Sequence, residues 1–476
     1  MATFEDFYSS LSPDNGIRGR QFEIFVKWFL KTDPNWSCHV DNIWLWEEYP
    51  FKWGPDCGID LIFTTKEGKT WAVQAKCLSP TRDINKSEID SFLSESSDSN
   101  IDGRLLIAST NGIGKNALQV INRQEKQVVC FFLEQFLNSN VDFPISINDL
   151  NSGKRKVKKN PRFHQLEAVE KVSSALKETD RGQVIMACGT GKTLTSLWIK
   201  EKLSAKNVLV LSPSLSLLSQ TLSEWNAHAN TNFKWICVCS DKSVAKDKIE
   251  DQWIPNTSEI GVPVTSSSKE IKLFLEEKGS KVIFSTFQSS PLIVKAQKNN
   301  EEIAFDLIIA DEAHRCAGKV SDSFSSVLDE KKIKGSKRLF FTATPRIVSR
   351  RLKANSYEEE IEFNSMDDET KFGKVLYHLN FGSALRNKPP LLTDYKMVVI
   401  GIDDEQINRS VNDRNFYLVD GKIKDAETIA NNIAISKAIK KYNLQRVISF
   451  HSRIKSAKKF SEDFKEILKV CDPYFL

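Results

Sequence analysis

At 476 residues, with 40% hydrophobic and 27% charged side chains, the chain is too long for one ordinary core and too apolar for a disordered polymer, so about three domains are expected. The net charge of +5 permits a polyanionic partner without requiring one, and no run approaches the ~20 apolar residues that a membrane-spanning helix needs. Nine cysteines, an odd number without paired metal-type spacing, point to reduced thiols in a cytoplasmic, soluble protein.

Residues 1–150 carry their own pattern of helices and strands. Large apolar side chains recur at helical spacing from Gln21 to Leu30, and residues 42–48 read as a strand. Two more strands follow, 58–64 and 70–77, joined by the hairpin signal Lys66-Glu67-Gly68-Lys69. On the second of these, Gln74 and Lys76 are two apart and share a face, while Trp71, Val73 and Ala75 point to the other. A three-residue loop, Glu67 to Lys69, pairs Lys66 with Thr70 and sets Asp60 directly opposite Lys76. A two-residue loop would put Asp60 beside Ala75, on the wrong side, so the odd loop is the prediction. Trp44, Trp46, Trp53 and Trp71 could stack on bases, but core packing is the expected fate of most of them.

An acid, an amide two residues before a lysine, and a shared sheet face resemble the active site of the PD-(D/E)xK nuclease fold. The Gln74-Ala75-Lys76 string is similar to its Mrr-like branch, in which Gln stands for the second acid. The resemblance implies that Asp60 and the backbone carbonyl near Ala75 bind Mg²⁺ and that Lys76 stabilises developing charge on a scissile phosphate. Glu23 resembles the family's additional acid and is a second expected metal ligand. Pro55-Asp56 spells the nominal "PD", but the loop position makes Asp60 the better ligand.

Residues 151–160 form a basic linker, read equally as a solvated connector or as a strap contacting phosphates. Beyond it, an apolar strand at 183–187 runs into Cys188-Gly189-Thr190-Gly191-Lys192-Thr193 and then a helix, which is the context of a phosphate loop. Gly189 and Gly191 let successive N–H groups face phosphate oxygens at a helix N-terminus, Lys192 reaches the β- and γ-phosphates, and the Thr193 hydroxyl ligates Mg²⁺. Met186 stands where the strict consensus has Gly. A continuous apolar strand, 305–310, suits burial on both faces and delivers Asp311-Glu312-Ala313-His314 at its C-terminal edge. Asp311 is expected to hold Mg²⁺, Glu312 to orient or deprotonate the attacking water, and His314 to couple nucleotide state to its neighbours.

In this order the segments resemble the first RecA-like domain of a superfamily 2 helicase or translocase of the DEAH type. Arg162, Phe163 and Gln165 match that family's adenine-reading motif, residues 208–213 with Ser219-Gln220 and residues 285–288 match its strand-tracking motifs, and Thr342 and Thr344 match motif III, which links hydrolysis to movement. A strand at 396–402, an amphipathic helix at 426–442 and a motif IV-like strand at 446–452 begin a second RecA-like domain that lacks the arginine-bearing motif VI. The expected fold is therefore α/β: a restriction-endonuclease-like domain (1–150), the basic linker, a RecA-like ATP-binding domain (161–355) with a parallel sheet, and a connector with an incomplete second RecA-like domain (356–476).

The combination resembles the front half of single-chain type ISP restriction-modification enzymes. It implies ATP and Mg²⁺ as cofactors, duplex DNA as partner, and further C-terminal modules or partner subunits. This polypeptide alone is expected to bind nucleotide and hydrolyse it feebly. The competing expectations are a remodelling or sensing ATPase whose N-terminal fold only binds DNA, and an RNA-directed helicase, which the DNA-cutting likeness disfavours.

Overall fold

A hairpin organises the N-terminal sheet. In the computed structural model, which describes residues 2–54, 58–239, 260–298, 303–319, 322–349, 363–395, 416–419, 422–451 and 453–471, Thr65 N–H bonds the carbonyl of Lys69 at 2.8 Å and Gly68 N–H bonds that of Thr65 at 2.9 Å. The loop is thus Lys66 to Gly68: three residues, as expected, but starting one position early. Leu61 faces Val73 and Thr64 faces Thr70, so continuing the register past Leu61 brings Asp60 level with Gln74, not Lys76. The cause is local, since the Thr65 hydroxyl accepts from Lys69 N–H at 3.2 Å and closes the turn at that residue. A shift of two residues preserves the face, and Asp60 keeps the company of Gln74 and Lys76.

Strands β1 (Val40–Leu45), β2 (Leu61–Thr65) and β3 (Thr70–Lys76) form an antiparallel meander, which β4 (Gly103–Ala108) and β5 (Val128–Phe131) extend in parallel. Helix α1 (Asn15–Thr32) starts at Asp14, whose carboxylate caps Ile17 N–H, and lays Phe22, Phe25, Val26 and Phe29 on one face of this sheet. Each of these side chains contributes about 1.5–3 kcal/mol by leaving water. Helices α3 (Asp90–Glu95) and α4 (Lys115–Asn122) cover the other face through Phe92, Leu93, Ala117 and Ile121. Gln74 therefore faces packed interior, not solvent, and is 1% exposed. Between α1 and β1 a single turn, α2 (Pro34–Ser37), is capped by the buried Asp33.

The second sheet is parallel throughout. Its strands are β6 (Arg181–Met186), β7 (Asn207–Ser212), β8 (Lys234–Val238), β9 (Val264–Thr265), β10 (Lys281–Thr286), β11 (Leu307–Ala310), β12 (Arg338–Thr342) and β13 (Lys374–Leu379), in the order β9-β8-β10-β7-β11-β12-β6-β13. Helices α5 (Phe163–Ala175), α6 (Lys192–Lys202) and α7 (Leu215–His228) cover one face, and Ser268–Glu276 with Ser290–Gln297 the other. This is a doubly wound α/β layer, whose ligand sites lie beyond the strand C-termini.

The basic linker is stitched down. Arg155 Nε donates to Thr32 O at 3.0 Å, Lys156 Nζ to Ser139 O at 2.9 Å, Lys158 Nζ to Ala229 O at 2.5 Å, and Lys159 Nζ pairs with Glu224 at 3.0 Å. Four of its five cations are thus held against the surroundings of both sheets, while all five residues remain exposed. Asn35 also meets Asn226 at 2.9 Å, and His39 stands edge-on to Trp235 with centroids 4.5 Å apart.

The described residues divide into two compact units, one up to Leu392 and one from Thr393 onward. In the second, a hairpin Phe416–Val419 with Lys422–Asp425 precedes helices Ala426–Tyr442 and Ile454–Cys471. The expected strand at 396–402 lies outside the described residues. Residues 446–451 do not form the motif IV-like strand: no ladder partner lies beside them among the described residues, and Ile448 and Phe450 are 80% and 94% exposed.

Candidate functional site: a nucleotide cradle and a carboxylate-amide-lysine sheet end

Strands β11, β12 and β6 are neighbours, so the loops that leave them converge. After β6, Gly189 and Gly191 take φ of +81° and +87°, a left-handed conformation that only glycine adopts without strain, and α6 begins at Lys192. A Cβ on Gly191 would lie 2.3 Å from Gln165 Nε2. That amide donates to Gly191 O at 3.2 Å, and Gln165 Oε1 accepts from Arg162 N–H at 2.9 Å. Gln165 thereby ties the start of α5 to the loop, while Phe163 is 48% exposed.

After β11, Asp311 and Glu312 crowd together. Burial, reinforced by the Glu312 carboxylate, pushes Asp311 up to about 6. Glu312 sits at φ +50°, a left-handed conformation that costs a non-glycine residue on the order of 1 kcal/mol or more and persists where the surroundings demand it. Its carboxylate lies 3.7 Å from Lys192 Nζ and 3.3 Å from His314 Nδ1. His314 Nδ1 is also 3.1 Å from Thr342 Oγ1, which bonds Thr344 O and accepts Thr344 N–H, both at 3.2 Å. Burial holds the His314 imidazole below its ordinary value, with Glu312 pulling the other way. Lys192, Glu312, His314, Thr342 and Thr344 thus form one polar chain across three strand ends.

Sequence reasoning missed three residues here. His164, 1% exposed, bonds Thr190 O through Nε2 at 2.9 Å, and its own carbonyl accepts the Tyr377 hydroxyl at 3.0 Å. Trp225, fully buried on α7, donates through Nε1 to Thr193 O at 3.0 Å. His164 adjoins Phe163 in the motif and was findable there. Tyr377 and Trp225 carry no local signal.

The other site is at the end of β3. Asp60 Oδ2 accepts Ala75 N–H at 2.7 Å, the amide lying between Gln74 and Lys76. Asp60 follows Gly58, whose φ of +75° and closeness to α3, where a Cβ would stand 2.5 Å from Ser91 Oγ, disfavour any side chain. Gly58 O in turn accepts Gln74 Nε2 at 3.2 Å. Gln74 Oε1 is buried without a hydrogen-bond partner among the described residues. An unpaired buried acceptor next to a carboxylate fits a cation ligand set. Glu23 is held by Arg20 at 2.8 Å, and Arg20 also reaches Glu47. Among the described residues no group of three or more His, Cys, Asp or Glu side chains is assembled; Asp56 lies outside them.

Residues 31–151 match the family model described as restriction endonuclease, Mrr catalytic type, and residues 158–347 match that described as type III restriction enzyme, res subunit. A probable helicase of African swine fever virus is 32% identical over 200 residues, 41% of this chain and 21% of its own length. The type I restriction enzyme EcoAI endonuclease subunit of Escherichia coli is 22% identical over 287 residues, 59% of this chain and 29% of its own. Among solved structures, the ATP-dependent type ISP restriction-modification enzyme LlaBIII bound to DNA superposes with a TM-score of 0.79 at 31% identity, covering 98% of this chain and 31% of that one. The chain spans about a fifth of the viral relative and under a third of the solved enzyme. No helix among the described residues is long and apolar enough to cross a membrane.

Proposed function

We propose, for a chain that joins an Mrr-type restriction-endonuclease domain to a restriction-type helicase domain, that it is the cutting and motor portion of an ATP-dependent DNA restriction enzyme acting on duplex DNA in the cytoplasm. The observation that carries the reading is the Asp60 carboxylate bonded to the Ala75 N–H, between the buried, unpaired Gln74 Oε1 and Lys76, in a chain that also holds the Lys192–Glu312 pair.

At the motor site, the amides of residues 189–192 and the α6 N-terminus receive the ATP phosphates, and Lys192 leaves Glu312 to neutralise them. Glu312, released, orients or deprotonates the attacking water. His314 bonds both Glu312 and Thr342, so a change at the phosphates moves a group that reaches Thr344. Asp311 and Thr193 are the side chains suited to Mg²⁺; burial first, and Glu312 second, favour the protonated form of Asp311, and a bound cation would favour the ionised one.

At the nuclease site, Asp60 and Gln74 Oε1, with Glu23 as an outer candidate, are the groups suited to a divalent ion, with Mg²⁺ the proposed species. Bound there, it would supply Lewis-acid polarisation of a phosphate. Lys76 supplies a positive charge on the same face for the phosphate oxygens. A second reading, that the fold binds DNA without cutting it, draws on one observation: Asp60 Oδ2 already accepts Ala75 N–H. Supercoiled plasmid with Mg²⁺ separates the two. Nicking lost in Asp60→Ala and Lys76→Ala supports the nuclease; wild-type protein that binds plasmid and never nicks it supports the alternative.

A further inference from the structure

The turn after β1 is built around one indole. Trp46, 5% exposed, donates through Nε1 to Gly54 O at 3.0 Å, and its backbone N–H bonds the carbonyl of Asp60 at 2.8 Å. The loop 46–54 is therefore closed on itself and pinned to the residue that anchors the nuclease site. Aromatic rings step outward from that pin: Trp53 stands edge-on to Trp46 at 4.8 Å, Tyr49 is 6.3 Å from Trp46, and Phe51 is 5.8 Å from Tyr49. The series ends at the surface, where Phe51 is 76% exposed and Trp53 45% exposed, with the exposed Lys52 between them. Trp53 is fixed from its far edge as well, its Nε1 donating to Glu95 at 3.2 Å.

A single exposed apolar residue needs no explanation. Two exposed rings flanking a lysine, backed by the buried Trp46 and the half-buried Tyr49, with Trp46 N–H bonded to the carbonyl of Asp60, are a different matter. We propose that Phe51 and Trp53 form a stacking platform for unpaired nucleobases of a DNA strand entering the Asp60 site. The proposal rests on the nuclease reading above, and its occupant follows from chemistry. Alternation of aromatic faces with a cation is what an unpaired strand requires, one for its bases and the other for its backbone. Paired bases inside a duplex have both faces covered and offer these rings nothing. The platform favours DNA with an exposed single-stranded stretch at the point of cleavage, and it acts by positioning the strand, not by chemistry.

The test uses the full chain without Mg²⁺, so that nothing is cut, and a single-stranded oligonucleotide carrying 2-aminopurine, whose fluorescence falls on stacking. Wild-type protein is expected to quench it. Phe51→Ala is expected to remove most of the quenching and to weaken single-strand binding about fivefold or more, the lower end of one base–aromatic stack. Affinity for a fully paired duplex should not change. Phe51→Tyr should restore both signals, and Phe51→Leu, which keeps apolar bulk without a ring, should not. Unchanged binding and quenching in Phe51→Ala, restoration by Phe51→Leu, or an equal loss on paired duplex would each overturn the proposal. Plasmid nicking by Asp60→Ala is scored separately: nicking that survives it removes the nuclease reading, whereas a silent Phe51→Ala beside an inactive Asp60→Ala removes only the platform.

Discussion

The buried indole of Trp225 donates to the backbone carbonyl of Thr193, binding the last turn of α7 to the first turn behind the phosphate loop. Its helix neighbour Asn226 meets Asn35 of the N-terminal domain, so one helix touches both the nucleotide cradle and the endonuclease-fold surface. Trp225→Phe keeps most of the ring packing and deletes that hydrogen bond, worth about 1 kcal/mol. Nucleotide affinity, read with a fluorescent ATP analogue, is expected to fall about fivefold with the fold intact.

Glu312 is the carboxylate placed between Lys192 and His314. Glu312→Gln keeps the shape and removes the base. ATP binding should persist while hydrolysis in the complete enzyme falls by about 10²- to 10⁴-fold, the usual worth of a positioned general base. Single-turnover phosphate release is the measurement; hydrolysis at the wild-type rate would remove Glu312 from the mechanism.

Gln74 invites an inverse experiment. Gln74→Glu buries a second carboxylate beside Asp60 and gives up the bond to Gly58 O. Without divalent ions the domain should lose stability on the order of 3 kcal/mol, as an uncompensated buried charge does. Mg²⁺ should restore much of this loss in the variant and raise the melting temperature of wild type less. A variant indifferent to Mg²⁺ would place the ion elsewhere.

Asp33 gives a pH signature. It caps α2, is 2% exposed, and burial lifts its carboxyl from 3.8 to about 6 against the pull of Asn35 and Trp36 N–H groups. Its folded pKa is above its unfolded one, so the native state holds the extra proton between pH 4 and 6, and this group's contribution to stability is lost as pH rises through that window. The loss amounts to about 3 kcal/mol at pH 7. Asn retains the cap and cannot ionise. Asp33→Asn should therefore match wild type near pH 4 and exceed it by about 2–3 kcal/mol at pH 7 in urea unfolding.

What was legible in the sequence was local. Residues 188–193 and 311–314 declare themselves because phosphate chemistry fixes their spacing, and the parallel sheet brings their loops together as expected. The Asp60 register was not legible, since the choice between two odd loops rests on the Thr65 hydroxyl and not on hydrophobic alternation. Alternation did protect the face, which is why Asp60 still meets the Gln74–Lys76 edge. Strands β4 and β5 went unread because both faces of that sheet are covered and the period-two signal vanishes. The linker's role was hidden for another reason: a run of lysines looks the same whether it faces water, phosphate, or the carbonyls of Ser139 and Ala229.

Two separable chemistries on one chain call for a crossed experiment. Mg²⁺-dependent nicking of supercoiled plasmid and ATP-analogue binding are measured on wild type, Asp60→Ala and Lys192→Ala. The predicted result is that Asp60→Ala loses nicking and keeps nucleotide binding, while Lys192→Ala does the reverse. Nicking that survives Asp60→Ala at the wild-type rate would contradict the account.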